Sequence, residues 1–187
     1  MERTEIRIAG TGGQGVILAG VLLADAAVRD GKKAVQTQSY GPEARGGASR
    51  SEVIISEQEI DYPKVLDADI LLCMSQEACD RYAGKLKKGG VLILDTVHVH
   101  RAPLIQAVRV PITELARQAT GREITANIVA LGLLVGLTGL VSRESLEAAV
   151  RARAPRGTAE MNLRALAVGL EEAARLGRNR PDGKSAG

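Results

Sequence analysis

A chain of 187 residues, 45% hydrophobic and 25% charged, is long enough for one packed domain and too apolar to be disordered. Its formal charge of +3 is too small for the footprint of a nucleic-acid binder, and no Trp or Phe is present to stack single strands. Two cysteines, Cys73 and Cys79, exclude both a disulfide framework and an iron–sulfur cluster held by this chain alone.

The amino terminus lacks a basic-then-apolar targeting segment. Glu5–Ala9 reads as a short strand. Gly15–Asp30 has apolar residues at helical spacing, and Gly31 stops it. Lys33–Ser39 is a second strand. Tyr40–Arg50, with Pro42 and a Gly46-Gly47 pair, reads as a loop. Ser51–Ile60 reads as two short strands around a turn at Glu57–Gln58. Ile70–Met74 is a buried strand and Gln76–Leu86 a helix. Strands follow at Val91–Asp95 and Ala107–Val110.

From Pro111 onward the pattern is helical throughout. Ile112–Thr120 is closed by Gly121. Asn127–Leu140 is apolar on every side, with Asn127 placed to cap it. The uncharged run over residues 126–142 is too short to span a bilayer and is broken by glycines. Ser142 is a cap for Arg143–Ala152. Thr158–Leu176 is amphipathic, with Leu163, Leu166, Leu170 and Ala174 on one face. Residues 178–187 have the composition of a disordered tail. The whole predicts an α/β fold: a Rossmann-like, mostly parallel sheet with flanking helices and a helical C-terminal extension. Residues 1–177 form one domain, with the sheet part over 1–110 and the helical part over 111–177. A cytoplasmic protein that binds neither membrane nor nucleic acid is expected.

Two glycine loops stand out. Gly10-Thr11-Gly12-Gly13-Gln14-Gly15 satisfies G-x-G-x-x-G between the first strand and the first helix. Such a loop presents free N–H groups to a phosphate or carboxylate. A dinucleotide site would also need an acid at the end of the second strand, and Ala34–Ser39 has none. The same glycines serve equally for a tight turn with close helix packing. The second loop, Tyr40-Gly41-Pro42-Glu43-Ala44-Arg45-Gly46-Gly47, begins where the second strand ends. It should lie at the same sheet edge as the first. Arg45 could clamp an anion there, or pair with Glu43. His98 and His100, two apart on a strand, would face one side. Without further ligands, local polar contacts are the simpler role. Cys73 and Cys79 read as buried, inert thiols.

GTGGQGV followed by QTQSYGPEARGGASRSEVIIS resembles the gamma subunits of 2-oxoacid:ferredoxin oxidoreductases, most closely those acting on 2-oxoglutarate. The resemblance extends through Asn127–Gly132 and Glu160-Met161-Asn162. It implies an accessory subunit of an enzyme that decarboxylates a 2-oxoacid with coenzyme A, giving an acyl-CoA, carbon dioxide and reduced ferredoxin. It implies alpha and beta partner subunits, with a delta subunit in some arrangements. Thiamine diphosphate, magnesium and the iron–sulfur cluster belong to the assembled complex, and this chain alone holds no cofactor or metal. It carries no catalytic residue of its own. Gly12, Gly13, Gln14 and Gly15 of the first loop, and Tyr40, Gly41, Pro42, Glu43 and Arg45 of the second, are the residues expected to line a coenzyme A or thiamine cavity, or to hold a partner.

Overall fold

A computed structural model describes residues 3–40 and 48–178. Six strands form one sheet in the order β2-β3-β1-β4-β5-β6. They are β1 (Arg3–Thr11), β2 (Lys33–Tyr40), β3 (Ala48–Ser56), β4 (Ala68–Cys73), β5 (Leu86–Asp95) and β6 (Val108–Val110). The helices are α1 (Val16–Arg29), α2 (Gln76–Tyr82), α3 (Ile112–Thr120), α4 (Ala126–Thr138), α5 (Arg143–Arg153) and α6 (Ala159–Arg178).

The pairs β1–β4, β4–β5 and β5–β6 are parallel. β3 is antiparallel to both of its neighbours, β1 and β2. The sheet is therefore mixed, with the expected parallel part on one side of β1 and an antiparallel insertion on the other. The reason is chain length. Residues 41–47 are too few for the dozen or so that a parallel crossover requires, so β3 must run back against β2. It then slots between β2 and β1. The two short strands expected over 51–60 are in fact one strand, Ala48–Ser56, and the chain leaves the sheet at Glu57.

One face of the sheet carries Ile6, Ile8, Val53, Ile55, Ile70, Leu72 and Ile93, all joined to a single apolar core with the five helices other than α2. α4 is buried from Ala126 to Val135, as its uniform apolarity demands, with α1, α3 and α6 packed around it. The helical extension folds back onto its own sheet. Its closest contact is α4 against α6, and it depends on glycine. A Cβ on Gly132 would overlap the Leu166 carbonyl, and one on Gly169 the Val129 carbonyl. The buried stripe of α6 is Ala165, Leu166, Gly169 and Ala173. Ala174, expected on that face, is exposed. Gly169 and Ala173 meet α4 alongside Leu166 and Leu170, which lets the two backbones approach closely.

Local signals fix the helix ends. Gly121 closes α3 with φ 72°. Ser142 Oγ accepts from the Ser145 N–H at the start of α5, as expected. Ser142 is itself held by Asp30 at the end of α1. Its N–H and its hydroxyl each donate to that carboxylate at 2.6 Å. Among the described residues, the opposite face of the sheet is covered by α2 with the short turn Ala83–Lys85 after it, and by the irregular segments 57–67 and 96–107. There a second cluster joins Ala9, Leu71, Cys73, Cys79, Tyr82, Leu92, Leu94 and Val99.

Candidate functional site

β1, β4 and β5 end at one edge of the sheet, and α1, α3 and α4 all start there. β1 leads through α1 to β2 on one side, while β4 lies on the other, so the crevice between β1 and β4 is the switch point of the sheet. The first glycine loop spans it. Gly13 and Gly15 adopt φ 89° and 72°, which favour glycine. Gly15 caps α1, with no side-chain cap and no acid in the first turn.

The crevice is filled from within. Gln14 Oε1 accepts from the Thr11 N–H at 2.8 Å, and Gln14 Nε2 donates to the Met74 carbonyl at 2.8 Å. One carboxamide thus ties the end of β1 to the end of β4. Gly10 is required because a Cβ there would overlap Gln14 Oε1. Gly15 is required because a Cβ there would meet the Asn127 side chain, whose Nδ2 donates to the Gly15 carbonyl at 3.1 Å. Two of the four motif glycines therefore admit this chain's own Gln14 and Asn127. This corrects the cap expected of Asn127. α4 starts one residue earlier, and the amide serves the loop instead. The dinucleotide reading loses its geometric place: the crevice is bridged, and β3 rather than β2 lies beside β1.

Beside the loop is a shallow cleft of about 220 Å³, lined by Gly13, Gln14, Met74, His98, Thr113 and Glu123 among others. Thr113, in the first turn of α3, is held by the fully buried Asp95 at the end of β5. Its hydroxyl donates to Oδ2 at 2.5 Å and its N–H to Oδ1 at 3.3 Å. His98 and His100 do not share a strand. β5 ends at Asp95, and both imidazoles are exposed beyond it, with buried Val99 between them. Among the described residues no three of His, Cys, Asp and Glu come together as metal ligands.

The two loops leave the same edge. Thr11 pairs with Ala48, and Tyr40 with Ser49, so only β3 separates them. Gly41, Pro42, Glu43 and Arg45 lie outside the described residues, as do Gly46, Gly47 and the segment 179–187. Just inside this edge, on the face that carries α2, lies a charged cluster that the sequence reading missed. Arg7 Nε donates to Glu52 Oε1 at 2.8 Å, and Arg7 Nη2 to the Val65 carbonyl at 2.8 Å. The Arg7 side chain is 3% exposed. Its guanidinium lies 5.1 Å from the centre of the Tyr82 ring, and Arg50 Nη1 donates to the Tyr82 hydroxyl at 3.2 Å. The available signal was alternation. Glu5 and Arg7 interleave with Ile6 and Ile8, which marks one polar and one apolar face of β1. Gln14 and Asn127 had no such signal, because their partners are remote in sequence.

The described helices include none long and apolar enough to cross a membrane. Residues 5–172 match the family model for pyruvate ferredoxin/flavodoxin oxidoreductase. The chain is 51% identical over 179 residues to the 2-oxoglutarate synthase subunit KorC of Methanocaldococcus jannaschii, covering 93% of this chain and 96% of that one. Its structure is similar to the keto/oxoacid ferredoxin oxidoreductase gamma subunit of Geobacter sulfurreducens. The TM-score is 0.85 at 50% identity, over 94% of this chain and 98% of that one. The fold also recurs in the 2-oxoglutarate:ferredoxin oxidoreductase of Magnetococcus marinus, with a TM-score of 0.84 at 24% identity, over 94% of this chain and 32% of that one. The chain belongs to the pyruvate ferredoxin/flavodoxin oxidoreductase family and is an oxidoreductase subunit of the gamma type.

Proposed function

We propose that this chain is the gamma subunit of a cytoplasmic 2-oxoglutarate:ferredoxin oxidoreductase. The observation that carries this reading is the similarity to KorC, which runs over almost the full length of both chains, and the family match over residues 5–172 spans both glycine loops. The assembled enzyme converts 2-oxoglutarate and coenzyme A to an acyl-CoA and carbon dioxide and passes two electrons to ferredoxin. Thiamine diphosphate, magnesium and the iron–sulfur cluster sit on the alpha and beta subunits, with a delta subunit where the clusters are carried separately. This chain's own residues bind and position. Among the described residues no three of His, Cys, Asp and Glu come together as ligands, and Asp95 at the end of β5 is committed to Thr113.

The working surface is the sheet edge that carries both loops. Gly12, Gly13 and Gly15 present backbone N–H groups at the start of α1, which has no side-chain cap, and Gln14, whose own N–H donates to the Thr11 carbonyl, braces the loop. Tyr40 ends β2 at the same edge, and Gly41, Pro42, Glu43 and Arg45, which follow it outside the described residues, are assigned the same role. Together they line the coenzyme A cavity or hold the partner beside it. Two experiments test this. The complex is reconstituted from its subunits with and without this chain, and 2-oxoglutarate- and coenzyme A-dependent ferredoxin reduction is measured. Loss of turnover without the chain is expected, and full turnover would overturn the reading. Arg45→Ala is then made in the complex. A KM for coenzyme A raised about tenfold, or weakened assembly, is expected from losing a charge-assisted contact. No change in either removes Arg45 from the site.

A further inference from the structure

The α2 face also holds, close to the edge that carries the first glycine loop, a pair of thiols that the proposed function does not use. Cys73 ends β4 and Cys79 lies in the middle of α2. Both are free, and both are buried in the one apolar cluster under α2. Their environments differ. Cys73 lies within the sheet, between Ala9 on β1 and Leu94 on β5. Cys79 reaches the floor of an open cleft of about 480 Å³, lined also by Asp80, Ala83, Gly84, Arg101 and Pro103. One strap covers it. The Cys79 thiol donates to the Arg101 carbonyl at 3.9 Å. Two side chains of α2 hold that strap: Gln76 Oε1 accepts from the His100 and Arg101 N–H groups, both at 2.9 Å, Gln76 Nε2 donates to the Arg101 carbonyl at 2.9 Å, and Arg101 Nη2 donates to Asp80 Oδ2 at 3.3 Å.

We infer that Cys73 and Cys79 form a thiol–disulfide exchange site for low-molecular-weight disulfides, with Cys79 the entry thiol and Cys73 the resolving one. The Cys79 thiolate attacks one sulfur of the small disulfide. The S–S bond of the reagent breaks, one small thiolate leaves, and a mixed disulfide forms on Cys79. Cys73 loses its proton to solvent and attacks the Cys79 sulfur, expelling the second small thiolate. The two leaving thiolates take up the two protons. The dithiol is oxidised by two electrons and the reagent is reduced by two. The order of events follows from the surroundings. The neighbouring Cys73 thiol holds the Cys79 pKa below the ordinary thiol value, whereas Cys79 and burial push Cys73 well above it. Cys79 also lines the open cleft, whereas Cys73 is enclosed between two strands. Closure acts one residue from Met74, whose carbonyl anchors Gln14, so the pair is mechanically joined to the first glycine loop.

The test uses the full chain, purified without oxygen and exposed to oxidised glutathione. Intact mass should fall by two hydrogens, and peptide mapping should recover a Cys73–Cys79 cross-link. Cys73→Ser should stop at one glutathione adduct on Cys79. Gln76→Ala, which loosens the strap, should speed the reaction about tenfold. A folded chain that stays fully reduced while the urea-unfolded chain reacts would overturn the inference, as would a wild-type adduct that never closes. Brief native alkylation of the wild-type chain gives a check that needs no variant. Cys79 should be labelled before Cys73, and the reverse order overturns the assignment.

Discussion

On one face of the sheet, Ile6, Ile8, Val53, Ile55, Ile70, Leu72 and Ile93 meet five helices, with the buried carboxylate of Asp95 held at the edge by Thr113. On the other, the same strands present Cys73 and the nearly buried ion pair of Arg7 and Glu52 to one short helix, which brings Cys79 and Tyr82. The first face is stabilised by area. Each fully buried aliphatic side chain there contributes about 1.5–3 kcal/mol. The second is held by geometry. Its ion pair gains little net stability over an apolar pair, but losing one member is costly, because the other charge is then stranded. The helical face thus tolerates volume-conserving changes, whereas the ionic face tolerates only matched ones.

Breaking the ionic face should give the largest effect. Glu52→Ala leaves the Arg7 guanidinium buried without its carboxylate, and we expect a loss of about 3–5 kcal/mol in denaturant unfolding. Pairing it with Arg7→Met should restore most of that loss. A single variant that costs less than about 1 kcal/mol would show that water reaches Arg7.

The helical face is tested by Gly169→Ala. The added methyl overlaps the Val129 carbonyl and pushes α6 from α4, at a cost of about 3 kcal/mol in unfolding free energy. Gly177→Ala, on the same helix with open space around it, should be neutral or stabilising by a few tenths of a kcal/mol.

A smaller effect is expected where the helical layer closes. Asp30→Ala removes both hydrogen bonds to Ser142 and should cost about 1–2 kcal/mol. Burial opposes the Asp30 charge, but the hydrogen bonds from Ser142 and Ser145, with Lys32 nearby, hold its pKa below the ordinary carboxylate value. A depressed folded pKa gives stability that is present above the unfolded value and lost as pH falls through the folded one. Wild type should therefore lose stability as pH is lowered through and below about 4, and Asp30→Asn should flatten that part of the curve.

The smallest effect should come from the edge the two faces share. Gln14→Ala removes the bridge between β1 and β4 and should cost about 1 kcal/mol. Hydrogen exchange at the Thr11 N–H should quicken while the core strands stay protected.

Much of the fold was legible in the sequence. Alternating periods marked β1, α1, β2, β4 and the strands beyond. Gly121 and Ser142 marked helix ends, and the uncharged run marked α4 as buried. The shared edge of the two loops followed from strand direction. What failed was long-range. Ser51–Ile60 looked like two strands because Glu57 and Gln58 mark a turn, while the true start at Ala48 was hidden in a glycine-rich stretch. Asn127 looked like a cap because it precedes an apolar run, yet its partner is the Gly15 carbonyl.

The sequence by itself determined element type, helix ends and the family, since these rest on periodicity, capping and motifs read over a few neighbouring residues. Tertiary structure alone decided that β3 enters between β2 and β1, and that Gln14 and Asn127 occupy the space the motif glycines leave. It also decided that Arg7 meets Glu52 and that Cys73 meets Cys79. Each of these depends on strand register or helix placement, and a shift of one residue would turn every side chain involved to the other face.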